Sequence, residues 1–117
     1  MTEGSWPWPE EMDGVLAAPG SHQVLIDNDR VRVLEVSIGP AHREPEHTHR
    51  RPSVMIVDGP ARIRYYAQGS LEFESPPGAP ATGVKVSWMA PEGPHSVENI
   101  DDRPYHAIRV ELKYPGE

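Results

Sequence analysis

Two segments of this chain could do chemistry together: Glu46-His47-Thr48-His49, and Pro91-Glu92-Gly93-Pro94-His95-Ser96-Val97-Glu98-Asn99. Successive side chains of a β-strand alternate faces, so His47 and His49 project the same way from an extended segment. His95, following a Pro-x-Gly turn, supplies a third imidazole able to close a facial set of nitrogens. Neutral imidazole ligates zinc, iron, nickel and copper, and a facial set leaves positions open for water or substrate. A His-x-His pair alone is weak, because most such pairs are solvated strand ends. The second segment changes that balance.

These histidines must be positioned by strands. With 14 prolines and 10 glycines in 117 residues, the chain is punctuated too often for long helices. Short strands are expected at 22–26, 31–38, 53–57, 61–66, 71–74, 84–89 and 105–112. Leu34, Val36 and Ile38 share one face of the second. Asp58-Gly59 reads as a hairpin turn, and residues 75–80 as a loop. Residues 1–20 read as an arm and 21–117 as the barrel domain. Trp6-Pro7-Trp8-Pro9 is extended, Glu10 to Ala18 can form only a short helix, and the tryptophans must cover the barrel or a partner subunit. Short strands joined by turn residues indicate a β-sandwich or jelly-roll barrel.

Composition narrows the function. There is no cysteine, which excludes disulfides, thiolate metal sites and thiol nucleophiles, so an ion would rest on imidazole and oxygen. The net charge of −7 argues against nucleic acid and anionic membranes as partners. No apolar stretch is long enough to span a bilayer, and the N-terminus lacks the pattern of a signal peptide. A cytoplasmic location is expected.

In order and context the two segments resemble the motifs of the cupin superfamily, its small conserved-barrel members in particular. Gly39-Pro40-Ala41, His47-Thr48-His49 and Asp58-Gly59 occupy the ground of the first motif. Gly83, Pro91-Glu92-Gly93, His95 and Asn99 occupy that of the second. The resemblance covers about residues 22–113. It implies an all-β double-stranded β-helix, with His47, His49 and His95 as ligands of a divalent transition metal (iron, zinc, nickel or manganese). Ala41 stands where the family has glycine. The glutamate expected after the histidine pair is missing, and Ser53 or Val54 stands there instead. A neutral three-histidine site keeps the ion's full charge and favours an anionic or chelating substrate.

Other residues carry weaker signals. His106 shares a face with Ile108, Val110 and Leu112, which would make it an acid–base group inside the barrel or a buried structural histidine. Ser53 has the parity of the ligand pair. Arg62, Arg64 and Tyr66 share a face that is either a clamp for a substrate carboxylate or a charged outer surface. Met55, Tyr66 and Trp88 could line an apolar pocket or pack in the core. Glu44 and Glu46 are the nearest carboxylates, and Glu46 has the wrong parity. Three functions follow: a metal-dependent enzyme, of dioxygenase or isomerase type, on a small organic acid or dicarbonyl; a non-catalytic binding or sensing module; or a metal-free barrel with remnant histidines. The partners expected are a small molecule and, from the resemblance, a second copy in a homodimer.

Overall fold

The alternating runs form strands that divide between two sheets. The computed structural model describes residues 6–78 and 82–113, so part of the 75–80 loop lies outside the described residues. The strands are β1 (His22–Asp27), β2 (Val31–Ile38), β3 (His47–His49), β4 (Ser53–Gly59), β5 (Ile63–Ala67), β6 (Ser70–Glu74), β7 (Lys85–Met89), β8 (Glu92–Asn99) and β9 (Tyr105–Leu112). One antiparallel sheet runs β1-β2-β9-β4-β7 and the other β3-β8-β5-β6. The two histidine motifs therefore pair directly, with His47 opposite His95.

Register decides which side chains enter the barrel. Leu34, Val36 and Ile38 of β2 are buried, and their neighbours on β9 are Arg109, Ala107 and Tyr105. The charged parity of β9 thus faces inward, and Ile108, Val110 and Leu112 face out with His106. Across the outside, Trp88, Val54, Val110, Val33 and Ile26 align in one apolar row over all five strands.

Asp58-Gly59 is not a hairpin turn. Both residues end β4, and β5 belongs to the other sheet, so the chain crosses between sheets here. Gly59 instead lets β9 approach: a Cβ there would lie 2.9 Å from the Cβ of His106. Asn99, fully buried, ties the far end of the barrel. Its Nδ2 donates to the carbonyls of Ile38 and Arg103, and its Oδ1 accepts from Asp101 N–H. Ala41 holds φ 59°, a left-handed conformation at the place where the motif has glycine.

Ahead of β1, a 3-10 turn (Glu10–Met12) leads to the short helix α1 (Gly14–Ala17), capped by Asp13, which accepts from Val15 N–H at 3.2 Å. Asp13 also bridges to Thr48, between the two motif histidines. Trp6 and Trp8 pack edge to face, and the Trp8 ring covers Gly93, where a Cβ would come within 2.8 Å of it. The segment read as an arm is packed on the histidine strands.

Candidate metal centre

Strand parity brings His47 and His49 to one point, their rings 5.0 Å apart and nearly perpendicular. The third nitrogen of the group belongs to a residue outside both motifs. His22, the first residue of β1, joins them, so that one nitrogen each from His22, His47 and His49 lie within 4.8 Å of one another. His95 flanks the group, its ring 4.4 Å from that of His47 and 5.4 Å from that of His49. All four are buried.

The hydrogen bonds assign the tautomers. His47 Nδ1 lies 2.8 Å from the Pro45 carbonyl, and His95 Nδ1 lies 2.8 Å from the Gly93 carbonyl. His49 Nδ1 lies 3.0 Å from Glu111 Oε2. His22 Nδ1 meets the Ala18 carbonyl and the Ser21 hydroxyl, whose own proton is directed to Glu44. Each Nδ1 therefore carries hydrogen and donates, leaving Nε2 with its lone pair. This is how metal-binding histidines are oriented by their outer partners.

Electrostatics keep the rings neutral. Burial, followed by repulsion from His95 and His22, lowers His47 to about 3. Burial lowers His22 to about 4, and pushes His49 well below the ordinary histidine value. His95 is lowered by the same cause. At neutral pH the cluster offers uncharged nitrogen donors, which fits a first-row divalent ion.

Carboxylates surround the nitrogens. Glu44 is buried, its Oε2 3.6 Å from His47 Nε2, and it accepts from the Ser21 hydroxyl and from Val97 N–H. Burial, partly offset by these bonds and reinforced by Glu92, raises it to about 7. Glu46 is exposed. Glu92 Oε2 lies 3.8 Å from His95 Nε2 and accepts from the Tyr65 hydroxyl at 2.6 Å. Behind His49, Glu111 also accepts from Arg32 Nε at 2.6 Å, and Arg32 Nη2 reaches Asp13 at 2.8 Å. A relay thus runs from the cap of α1 to a candidate ligand.

Solved structures share this architecture. A cupin domain from Bordetella pertussis Tohama I has a TM-score of 0.62 at 22% identity, over 80% of this chain and 92% of that one. The chain has the cupin fold. An RmlC-like cupin family protein with a double-stranded β-helix fold, from Methanocaldococcus jannaschii, gives 0.59 at 10% identity, over 80% of each chain. The polyketide cyclase RemF from Streptomyces resistomycificus gives 0.54 at 20% identity, over 82% of this chain and 66% of that one. Neither a family model nor a curated protein matches the sequence.

Within this cupin barrel a cavity of about 410 Å³ leads to the histidines. Met55, Val57, Ile63, Phe73 and Met89 line its apolar part, and Tyr65, Glu92 and Arg109 its inner end. Arg109 is 3% exposed, with Nε donating to Ser53 and Nη2 2.7 Å from Glu92 Oε1. That last contact is a buried ion pair. The Ser53 hydroxyl donates to the Arg51 carbonyl and accepts from Arg109 Nε.

Several expected site residues lie elsewhere. His106 is on the outer face, Nδ1 against Asp58 and Nε2 2.8 Å from Glu35, so it is not an acid–base group of the cavity. Those two carboxylates raise its pKa. Trp88 is 60% exposed on the outside of β7 and is absent from the lining of this cavity. Arg64 pairs with Glu74 and Glu98, Tyr66 donates to Glu98, and Arg43 stacks on the Tyr66 ring, all on the outer face of the other sheet. Arg62 is likewise absent from the cavity lining. The apolar parity of β9, read as inward, is the outward one, because the interior of this barrel is polar at the site. His22, Glu92, Arg109 and Glu111 went unrecognised as site residues. The only sequence signal for the last two was a charged parity alternating with an apolar one.

Proposed function

We propose that this chain binds a divalent transition metal through His22, His47 and His49, with His95 as a fourth ligand, and is a metal-dependent enzyme on a small molecule held in the barrel. The observation that carries this reading is the set of buried imidazoles, each with Nδ1 committed to an acceptor and Nε2 left open. Glu44 offers a carboxylate beside His47, its Oε2 3.6 Å from Nε2, in a chain that lacks the motif glutamate. A bound ion would polarise a substrate oxygen and acidify a water. Arg109 and Tyr65 fix Glu92 beside His95, and the apolar walls exclude bulk water. The neighbour described as a polyketide cyclase favours an enzyme over a non-catalytic binding module; a dioxygenase or isomerase-type reaction on an organic acid or dicarbonyl suits the same cavity.

The test is elemental analysis of untagged protein, then oxygen uptake by the iron-loaded form with candidate acids and diketones. About one equivalent of metal is expected, with His22→Ala and His49→Ala each losing at least tenfold in affinity and His106→Ala losing none. Less than about a tenth of an equivalent, with none taken up on addition, would leave a metal-free barrel. Metal without turnover would leave a binding module. We also infer a homodimer, because the apolar row on the five-stranded sheet ends in Trp88 and Ile26, 60% and 52% exposed, and a flat apolar sheet face is best covered by its own copy.

A further inference from the structure

The segment ahead of β1 reaches each of the four imidazoles or an immediate neighbour of it. Gly14 of α1 lies on two rings, where a Cβ would come within 2.9 Å of His49 Cε1 and 3.2 Å of His22 Cδ2. The Ala18 carbonyl and the Ser21 hydroxyl oxygen accept from His22 Nδ1. Trp8 covers Gly93, whose carbonyl accepts from His95 Nδ1. Asp13 bridges to Thr48, between His47 and His49. Apolar packing contributes little to this docking. The helix α1, at four residues, is too short to be stable alone. Ala18 is the one buried apolar side chain of residues 6–21, and Leu16 is 60% exposed. A cavity of about 460 Å³ is lined by Trp6, Trp8, Asp13 and Leu16 of the segment and by Arg32 and Thr48 of the barrel. What holds the segment is the rings and one ionic chain. Asp13 accepts from Arg32 Nη2 at 2.8 Å, and Arg32 Nε donates to Glu111 Oε1 at 2.6 Å. That leaves Glu111 Oε2 for His49 Nδ1, 3.0 Å away.

Resting on the metal reading above, we propose that residues 6–21 form a strap locked by the ion, with Asp13 and Arg32 as positioning residues that transmit the lock to His49. A segment with few buried apolar contacts opens at a free energy well below that of global unfolding. An ion that needs His22 and His49 as the strap orients them binds the closed form, and so slows the opening by mass action. The coupling is reciprocal: a change that loosens the strap weakens the ion by the same factor.

The experiment is hydrogen–deuterium exchange on the full chain, metal-free and zinc-loaded, beside zinc affinity measured by competition with a chelator. Zinc should slow exchange of the 6–21 amides about tenfold or more, and that of the edge strand β6 less than about twofold. Asp13→Asn keeps a capping oxygen on α1 and removes the charge paired with Arg32. It should lose about tenfold in zinc affinity, and the zinc-induced protection of the strap should shrink by a similar factor. A role confined to capping the helix would leave both unchanged in this variant. Zinc uptake with unchanged exchange at 6–21 overturns the proposal and leaves the metal reading intact. So does protection spread equally over β6, or an Asp13→Asn variant that binds zinc as tightly as the parent. If that variant does not melt cooperatively, exchange in the unmodified chain decides. A chain that takes up no zinc removes the metal reading, and this proposal with it.

Discussion

At the residue scale, the four buried imidazoles make the site sensitive to acid. Their neutral forms are the ones buried, so each contributes stability that is complete above the ordinary histidine value of 6.5. That contribution is lost as pH falls toward about 4 for His22 and about 3 for His47. Glu44 and His106 act in the opposite sense. Glu44, raised to about 7, favours the fold at low pH and loses that contribution as pH rises through its own value. His106, raised by Asp58 and Glu35, likewise favours the fold at low pH. Four lowered groups outweigh two raised ones between pH 6.5 and 4. The melting temperature of metal-free protein should therefore fall steadily over that range, and a melting temperature that held or rose there would contradict the burial of neutral rings.

At the element scale, α1 and the loop before β3 carry the most specific consequences. Gly14 lies against the cluster, where a Cβ would be 2.9 Å from His49 Cε1 and 3.3 Å from His22 Nε2. Gly14→Ala forces α1 off the rings. It should weaken metal binding, read by competition with a chelator, while the circular dichroism spectrum stays that of the parent. Ala41 sits at φ 59°, in a conformation costly for any residue with a Cβ. Ala41→Gly should raise unfolding free energy by about 1 kcal/mol in urea titrations at unchanged m-value. A loss of stability would show that the left-handed turn is not the constraint at that place.

At the scale of the whole molecule, the two faces of the five-stranded sheet do different work. The inner one presents Arg109, Glu111 and Ser53 to the site; the outer one presents the row from Trp88 to Ile26. If that row joins two copies, Trp88→Glu should convert the dimer to monomer in light scattering without loss of metal, since Trp88 and the histidines lie on opposite sides of the sheet. A monomer in the unmodified protein would end the dimer proposal. Among the described residues no helix is long and apolar enough to cross a membrane.

The sequence by itself determined most of the strands, because alternation such as that of Leu34, Val36 and Ile38 is a local property of an extended chain; β8 was not among them, since the Pro-x-Gly segment read as a turn has Glu92 and Gly93 already in the strand. It also determined the local histidine and Pro-x-Gly motifs, whose spacing survives in any fold that keeps those strands. Only the tertiary structure decided the rest. His22 joins His47 and His49 because β1 closes the barrel edge beside them, a pairing that no spacing records. Glu44 comes beside His47 from a loop rather than a strand. His106, Trp88, Arg64 and Tyr66 face outward because the side of a strand that enters a barrel is set by its neighbours. Arg109 and Glu111 enter because a buried ionic network can compensate them. A charge inside a barrel is tolerated only when its partners arrive from other strands, and sequence order does not show which strands those are.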